Sequence, residues 1–429
     1  MSLRSLSSSA LALASFSFAL GAFATPGPVS GPQLTPEQAR ILRHMSLIQL
    51  DDGLGNMVTT IRVTGANLQI VNGLGATDSE NGAGNLIVGY NAFGNPEGDL
   101  RTGSHTVVVG DRLSYSSHGG LVVGLDNTVS GDFATVTGGR NNLASGYCAH
   151  VSGGGGILPP SDPSKEGNHA SGLYASVSGG VAGVASGKWS SVSGGNANVA
   201  SGGGSSVSGG HGNSTLGPGS WCAGGLDNTV VGWWSANVGG QDNQCESGVT
   251  IGGRRNFSAG FAVCLGGEDN EATGNSAVVA GGFDNRATGD RAAVSGGTDN
   301  EASGDFASVS GGKSGLASGW ASSISGGNAG TASGQSSSIT AGQLNVASGL
   351  RSAVHGGGSN HAAAEESVIL GGGHAFLTSE GNLAEAIRSC IVGGSANRTQ
   401  PSAHSSVVGG GFGVTTLGNY DWAAGTLYE

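Results

Sequence analysis

Residues 191 to 205 read SVSGGNANVASGGGS, and residues 293 to 307 read AVSGGTDNEASGDFA. The two stretches share one grammar. A Ser or Ala precedes a Val, a Gly-Gly pair follows, then Asn, then Ala-Ser-Gly. From residue 84 onward this unit recurs. The second Gly of the pair falls at 139, 154, 180, 195, 210, 225, 240, 253, 267, 282, 297, 312, 327, 342, 357, 372, 394 and 410, with Ala-Gly as the pair at 342, and the usual step is fifteen residues. Units ending in Gly89, Gly110 and Gly124 join the series with a single Gly. Repeats this short and this numerous are the mark of a solenoid, in which each repeat contacts only its neighbours.

Three columns carry the physics. Three residues before the second Gly stands a small apolar residue, as at Val192, Cys222, Cys264, Val279, Ile324, Ile391 and Val407. Three residues after it stands Asn, as at Asn142, Asn198, Asn228, Asn285 and Asn397. Seven residues after it stands another Gly, as at Gly202 and Gly304. A short strand can give one β-branched side chain to a narrow core. The Gly lets the chain turn or lets walls approach closely. Asn suits a corner, because it bonds to local backbone and tolerates left-handed geometry. Stacked coils then let the Asn side chains form a ladder. At roughly 4.8 Å per coil, about 20 coils make a rod on the order of 90–100 Å long. The expected fold is therefore all-β: a parallel β-solenoid of about 20 short coils over residues 84–415.

Several strands carry apolar residues on both faces, among them Val107-Val108-Val109, Val263-Cys264-Leu265 and Val368-Ile369-Leu370. One face can fill a coil; the other calls for a partner surface. Identical rods packed side by side supply one.

The units NLIVGYNAFG (85–94), HTVVVGDRL (105–113), SVSGGNANVASG (191–202) and SVVGGG (406–411) resemble the head repeats of trimeric autotransporter adhesins, the YadA-like group. The resemblance covers roughly residues 84 to 415. It implies a left-handed β-roll, a side-by-side homotrimer, and attachment to matrix proteins or other surfaces. Family repeats usually run to fourteen residues with one Gly, whereas most units here have fifteen and a Gly pair. The closing stretch GFGVTTLGNYDWAAGTLYE does not match the family's membrane anchor. The nearest approach to its collagen-associated motif, Asn275-Ser276-Ala277-Val278-Val279-Ala280, is too loose to carry collagen binding over.

The ends read differently. Arg4, the apolar run 11–20 and Ala22-Phe23-Ala24 form a secretory signal over residues 1–24. A Pro/Gly-rich linker follows over 25–34. Thr35, Pro36 and Gln38 open a short helix expected over 35–46. Residues 57–83 read as strands that begin the solenoid, with Leu68–Val71 as one of them. Residues 416–429 form a tail. Insertions near 155–168 and 374–382 interrupt the rhythm and would project as loops.

Composition excludes several functions. The net charge is −12, and no basic run exists, so nucleic acid is an unsuitable partner. Charged residues make up only 11% of the chain, too sparse for the acidic and basic groove of a solenoid hydrolase or lyase. No nucleophile–base pair or cofactor motif appears, so the reading is non-enzymatic with no cofactor. The five Cys (148, 222, 245, 264, 390) have no metal-ligand spacing. No later segment is apolar and long enough to span a membrane as a helix. The protein is expected outside the cell or on its surface.

Two corner features are candidates for contact. Tyr147, Tyr174, Trp189, Trp233, Trp234, Phe261, Phe306 and Trp320 stand at the corner after the Ala-Ser-Gly position, eight or nine residues past a Gly pair except for Tyr174, which follows an insertion; aromatics there can stack on sugar rings or dock a protein. Asp227, Asp242, Asp269, Asp284 and Asp299 precede the Asn column, where carboxylates suit either a turn or Ca²⁺. The reading is an adhesin-like rod for cells, matrix or glycans. The alternatives are a fibre or spike subunit without a ligand, and an ice-binding solenoid.

Overall fold

The computed structural model describes residues 34–156, 167–373 and 381–425. The secretory signal, nearly all of the linker and most of both insertions lie outside them. The described residues divide into two compact units, those up to Gln69 and those from Ile70 onward.

Among its described residues, the first unit holds one helix and one hairpin. Helix α1 spans Pro36–Leu42. Thr35 caps it, and a capping box joins the Thr35 and Gln38 side chains to each other's backbone. The helix stops four residues short of the expected boundary, because Met45 opens a strand. Strand β1 (Met45–Asp51) pairs antiparallel with β2 (Met57–Val63), Met45 opposite Val63. Asp52 closes the turn by accepting from the Leu54 and Asn56 backbone. The strand expected over Leu68–Val71 does not form; this stretch finds no ladder partner among the described residues.

The second unit is the parallel solenoid. Its coils give short strands, mostly of two or three residues and five at Val107–Asp111 and Leu121–Leu125, to two parallel ladders. Among the described residues the first ladder has twenty-two strands, from Leu86–Val88 to Trp422–Ala423, and the second has twenty, from Ser114–Tyr115 to Thr415–Thr416. Register advances by one repeat per step: Val192 pairs with Val207, and Ala200 with Thr215. Single bridges such as Asn196 to His211 form a third line at the corner after the Gly pair. Strands this short suffice because backbone bonding is one-dimensional. Ser193 N–H donates to Val207 O at 2.9 Å, and the pattern repeats along the rod.

The interior is narrow. Val192, Val207, Val279, Val294 and Val309 are buried on the first wall, and Ala185, Ala200, Ala287, Ala302 and Ala317 on the second. The ladder Asn are buried between them. Asn213 Oδ1 accepts from Asn228 N–H at 3.1 Å, while its amide donates to Gly209 O at 2.9 Å and Gly225 O at 3.0 Å. Each such Asn thus satisfies three backbone groups, one in its own coil and two in the next. The left-handed turn expected of these Asn falls one residue earlier: Ala197, Asp227, Asp242, Asp269, Asp284 and Asp299 hold φ near +55°. Asn must point inward in extended geometry to reach the ladder, so its neighbour takes the turn.

One column shifts at the far end. Val408, not Val407, is the fully buried residue of its strand. Three successive glycines, 409–411, let the turn slide by one, and Gly411 takes the seat opposite Gly394.

The core breaks once. One apolar cluster runs from Val108 to Cys245 and another from Ala262 to Val408. Between them the Val column carries Asn237 and Thr250, and the second wall carries Ser258. Thr250 and Ser258 bond hydroxyl to hydroxyl at 2.9 Å, and the Ser258 hydroxyl donates to Cys245 Sγ at 3.2 Å. Asn237 is fully buried, and neither amide atom has a protein partner. Asn237→Val should therefore stabilise the chain by about 1–3 kcal/mol, since it removes an unpaired buried amide and restores the column. Urea unfolding reads this directly, and a lower midpoint would show that the amide is satisfied after all. The five cysteines are all unpaired thiols. Burial raises Cys222 and Cys245 above the ordinary thiol range and pushes Cys264 up to about 12, so these three are poor nucleophiles at neutral pH.

Candidate ligand-binding site

The second corner of each coil, after Ala-Ser-Gly, contains a left-handed residue that need not be Gly. Tyr174, Trp189, Trp234, Phe261 and Phe306 occupy this seat with φ between 58° and 61° or close to it. Tyr147, Trp233 and Trp320 stand one residue before it, with Cys148, Trp234 and Ala321 in the seat. This accounts for the two offsets in the sequence, except that Phe261 reaches the seat at eight because its coil is a residue short. A non-Gly residue there costs roughly 1–2 kcal/mol. A bond to the preceding coil helps to offset it: Trp189 N–H donates to Leu173 O at 2.8 Å, and Phe306 N–H to Asp290 O at 2.8 Å. The seat also throws its side chain outward.

All eight aromatics are exposed, but they do not make one stripe. Tyr147 and Tyr174 meet edge to face at 5.6 Å between ring centres and continue a short stack from Phe133. Phe306 meets Trp320 at 5.7 Å, with the Arg291 guanidinium over the Phe306 ring. Trp189 carries the Lys188 ammonium over its face at 4.0 Å. These rings are already partnered.

Trp233, Trp234 and Phe261 differ. They surround a hollow of about 660 Å³ together with Gly232, Glu246, Ser247, Gly248, Val249 and Val263. They are also the most exposed of the eight, at 72%, 81% and 75%. The hollow has a plain origin in the chain. In register, Ser235, Gly248, Ala262 and Ala277 are equivalent positions. Gly232-Trp233-Trp234 builds the corner of the first of these coils, but only Ser247 remains in the next, and Gly260-Phe261 in the third. Gly274-Asn275-Ser276 restores the full corner. Two consecutive coils are thus cut back at one edge, and the rings at either side become walls. Glu246 sets a carboxylate beside an otherwise apolar floor of Val249 and Val263.

Such a cleft can take a flat, partly apolar ring edged with hydroxyl groups. Indole and phenyl faces stack on the apolar side, and the carboxylate accepts hydrogen bonds from the rim. The sequence contained the cue: the Gly series steps by thirteen and then fourteen residues across Gly240, Gly253 and Gly267. Aromatic content alone did not separate these three rings from the other five.

The aspartate column serves the first corner. All five Asp residues occupy its left-handed seat. Asp269 pairs with Arg255, which holds its carboxyl below the ordinary range, and Asp284 lies 3.5 Å from Arg286. Asp299 accepts from the Ser314 hydroxyl at 2.9 Å. Turn geometry accounts for this column without Ca²⁺.

Among the described residues, no helix is long and apolar enough to cross a membrane. No protein-family model matches the chain, and no curated protein matches it with significance, so its functional reading rests on its own residues.

Proposed function

We propose that this chain is an exported, non-enzymatic attachment rod, related in design to adhesin heads, that holds a glycan in the hollow between Trp233, Trp234 and Phe261. The cut-back corner carries this reading. A regular solenoid has no cleft, and here the repeat is shortened where three exposed aromatic rings can face a ligand. A rigid parallel ladder suits this role because it fixes the rings without a ligand-induced rearrangement.

The same reading includes side-by-side trimers. Leu265, Leu370 and Val392 stand about half exposed on the outer side of their strands. Identical rods would cover them.

The test is saturable binding of the mature protein to an array of immobilised polysaccharides, with mass measured by light scattering in the same buffer. A discrete mass near three chains with saturable glycan binding supports the proposal. Trp233→Ala and Trp234→Ala should each weaken binding about three- to tenfold, as expected for one lost ring contact of about 0.5–1.5 kcal/mol. Neither touches the core, so melting should not move. Binding that survives both substitutions sinks the assignment of the hollow. Concentration-dependent polymers without binding favour a fibre subunit.

A further inference from the structure

We propose that Glu80, His118 and Asp132 form a site for a first-row divalent cation of the zinc type, which pins the segment leading into the solenoid onto its early coils. The sequence hides this set, because its members lie far apart along the chain and share no ligand spacing. The fold brings one ligand atom from each within 4.8 Å of the others. His118 Nδ1 lies 3.1 Å from Glu80 Oε1 and 3.6 Å from Asp132 Oδ1. A zinc ion bonded at about 2.0–2.2 Å to nitrogen and oxygen sets ligand separations of roughly 3.3–3.6 Å at the tetrahedral angle. The two measured separations bracket that range closely.

The geometry is built by the repeat. His118 and Asp132 hold the same position in successive coils, one residue before the left-handed seats at Gly119 and Phe133. The Phe133 N–H donates to His118 O at 3.0 Å, and the Cys148 N–H to Asp132 O at 2.9 Å. Ladder spacing therefore places the imidazole beside the carboxylate. The Phe133 ring stands edge-on to the imidazole, with centres 5.0 Å apart, and restricts its rotation. His118 itself is buried.

Glu80 arrives from outside the repeat on a segment that is already anchored. Asn72 N–H donates to His105 Nε2 at 3.2 Å, Asn81 N–H to Ser104 Oγ at 3.0 Å, and Gly82 N–H to Thr102 O at 2.9 Å. The third ligand is thus positioned before any ion binds.

The charges also favour an ion. Among the described residues, the ion pairs of Glu80 and of Asp132 run to His118 alone. One imidazole nitrogen serves both carboxylates, and a single N–H cannot point at both. A divalent cation takes the nitrogen lone pair and both carboxylates together, leaving a position for water. The ion then links the entering segment to two coils near the end of the ladder, where an open strand edge most needs support.

The test is calorimetric titration of the full mature chain with ZnCl₂ alone, after treatment with EDTA. The intact chain should take up one equivalent that the variants lose. Glu80→Gln and Asp132→Asn should each weaken that binding by at least the roughly tenfold expected even for a residue that only supports a ligand. His118→Ala should abolish it. Zinc should also raise the melting temperature of the intact chain and leave that of Glu80→Gln unchanged. Glu80 is exposed, so its amide variant folds and decides the matter even if His118→Ala does not. Absence of zinc binding in the intact chain overturns the proposal, as does identical binding by Glu80→Gln and Asp132→Asn.

Discussion

Gly312→Ala should unfold the solenoid around residue 312, while Gly311→Ala should leave the urea midpoint almost unchanged. The two glycines are neighbours in one Gly-Gly pair, yet their surroundings are opposite. A Cβ at Gly311 meets nothing within 4 Å. A Cβ at Gly312 would lie 2.4 Å from the Gly327 carbonyl oxygen, on a residue with φ of +100°. No side chain can move aside, because the obstacle is the backbone of the next coil. That carbonyl also accepts from Lys313 N–H at 2.9 Å, so relief requires parting the coils and losing the bond. Backbone strain, overlap and the lost bond together amount to about 4 kcal/mol or more. Equal loss at both positions would mean that Gly-Gly is selected for flexibility, not for close approach of coils.

Asn285→Ala should cost about 2–4 kcal/mol, the next largest effect. The Asn285 side chain accepts from Asn300 N–H at 3.1 Å and donates to Gly281 O at 2.9 Å and Gly297 O at 3.0 Å. Alanine leaves the buried Asn300 N–H and the part-buried Gly281 carbonyl without these partners, the former at about 1–3 kcal/mol and the latter somewhat less. Gly297 O suffers less, since Phe283 N–H also reaches it. The chain itself leaves the ladder seat to Gly183, Gly315 and Gly330, so a gap is local and finite. Denaturation with urea should show a lower midpoint. An unchanged midpoint would make the ladder ornamental.

The rod was legible because its chemistry is columnar. Valine, asparagine and glycine recur at fixed steps, and each does one job in every coil. The second wall was harder to see. Its residues are mostly Ala, as at Ala287 and Ala302, and Ala is depleted in strands, so an Ala column does not announce one. Strand β1 was missed because Met45–Asp51 follows a helix start without punctuation and alternates weakly. The eight aromatics were visible as a class, but their grouping depends on which neighbours stack and on where a coil loses its corner. That loss was recorded in the spacing of Gly240, Gly253 and Gly267. The Glu80–His118–Asp132 set was invisible, since only stacking joins it.

The central claim is that the shortened corner is the ligand site. It is tested most directly by filling that corner: two residues, Gly-Ser, inserted after Ser247 to restore the length of the neighbouring coils. Polysaccharide binding is then compared with that of the intact chain, and circular dichroism melting confirms the fold. The account predicts a folded protein that no longer binds. A folded insertion mutant that binds as tightly as the intact chain would contradict it and move the site elsewhere on the rod.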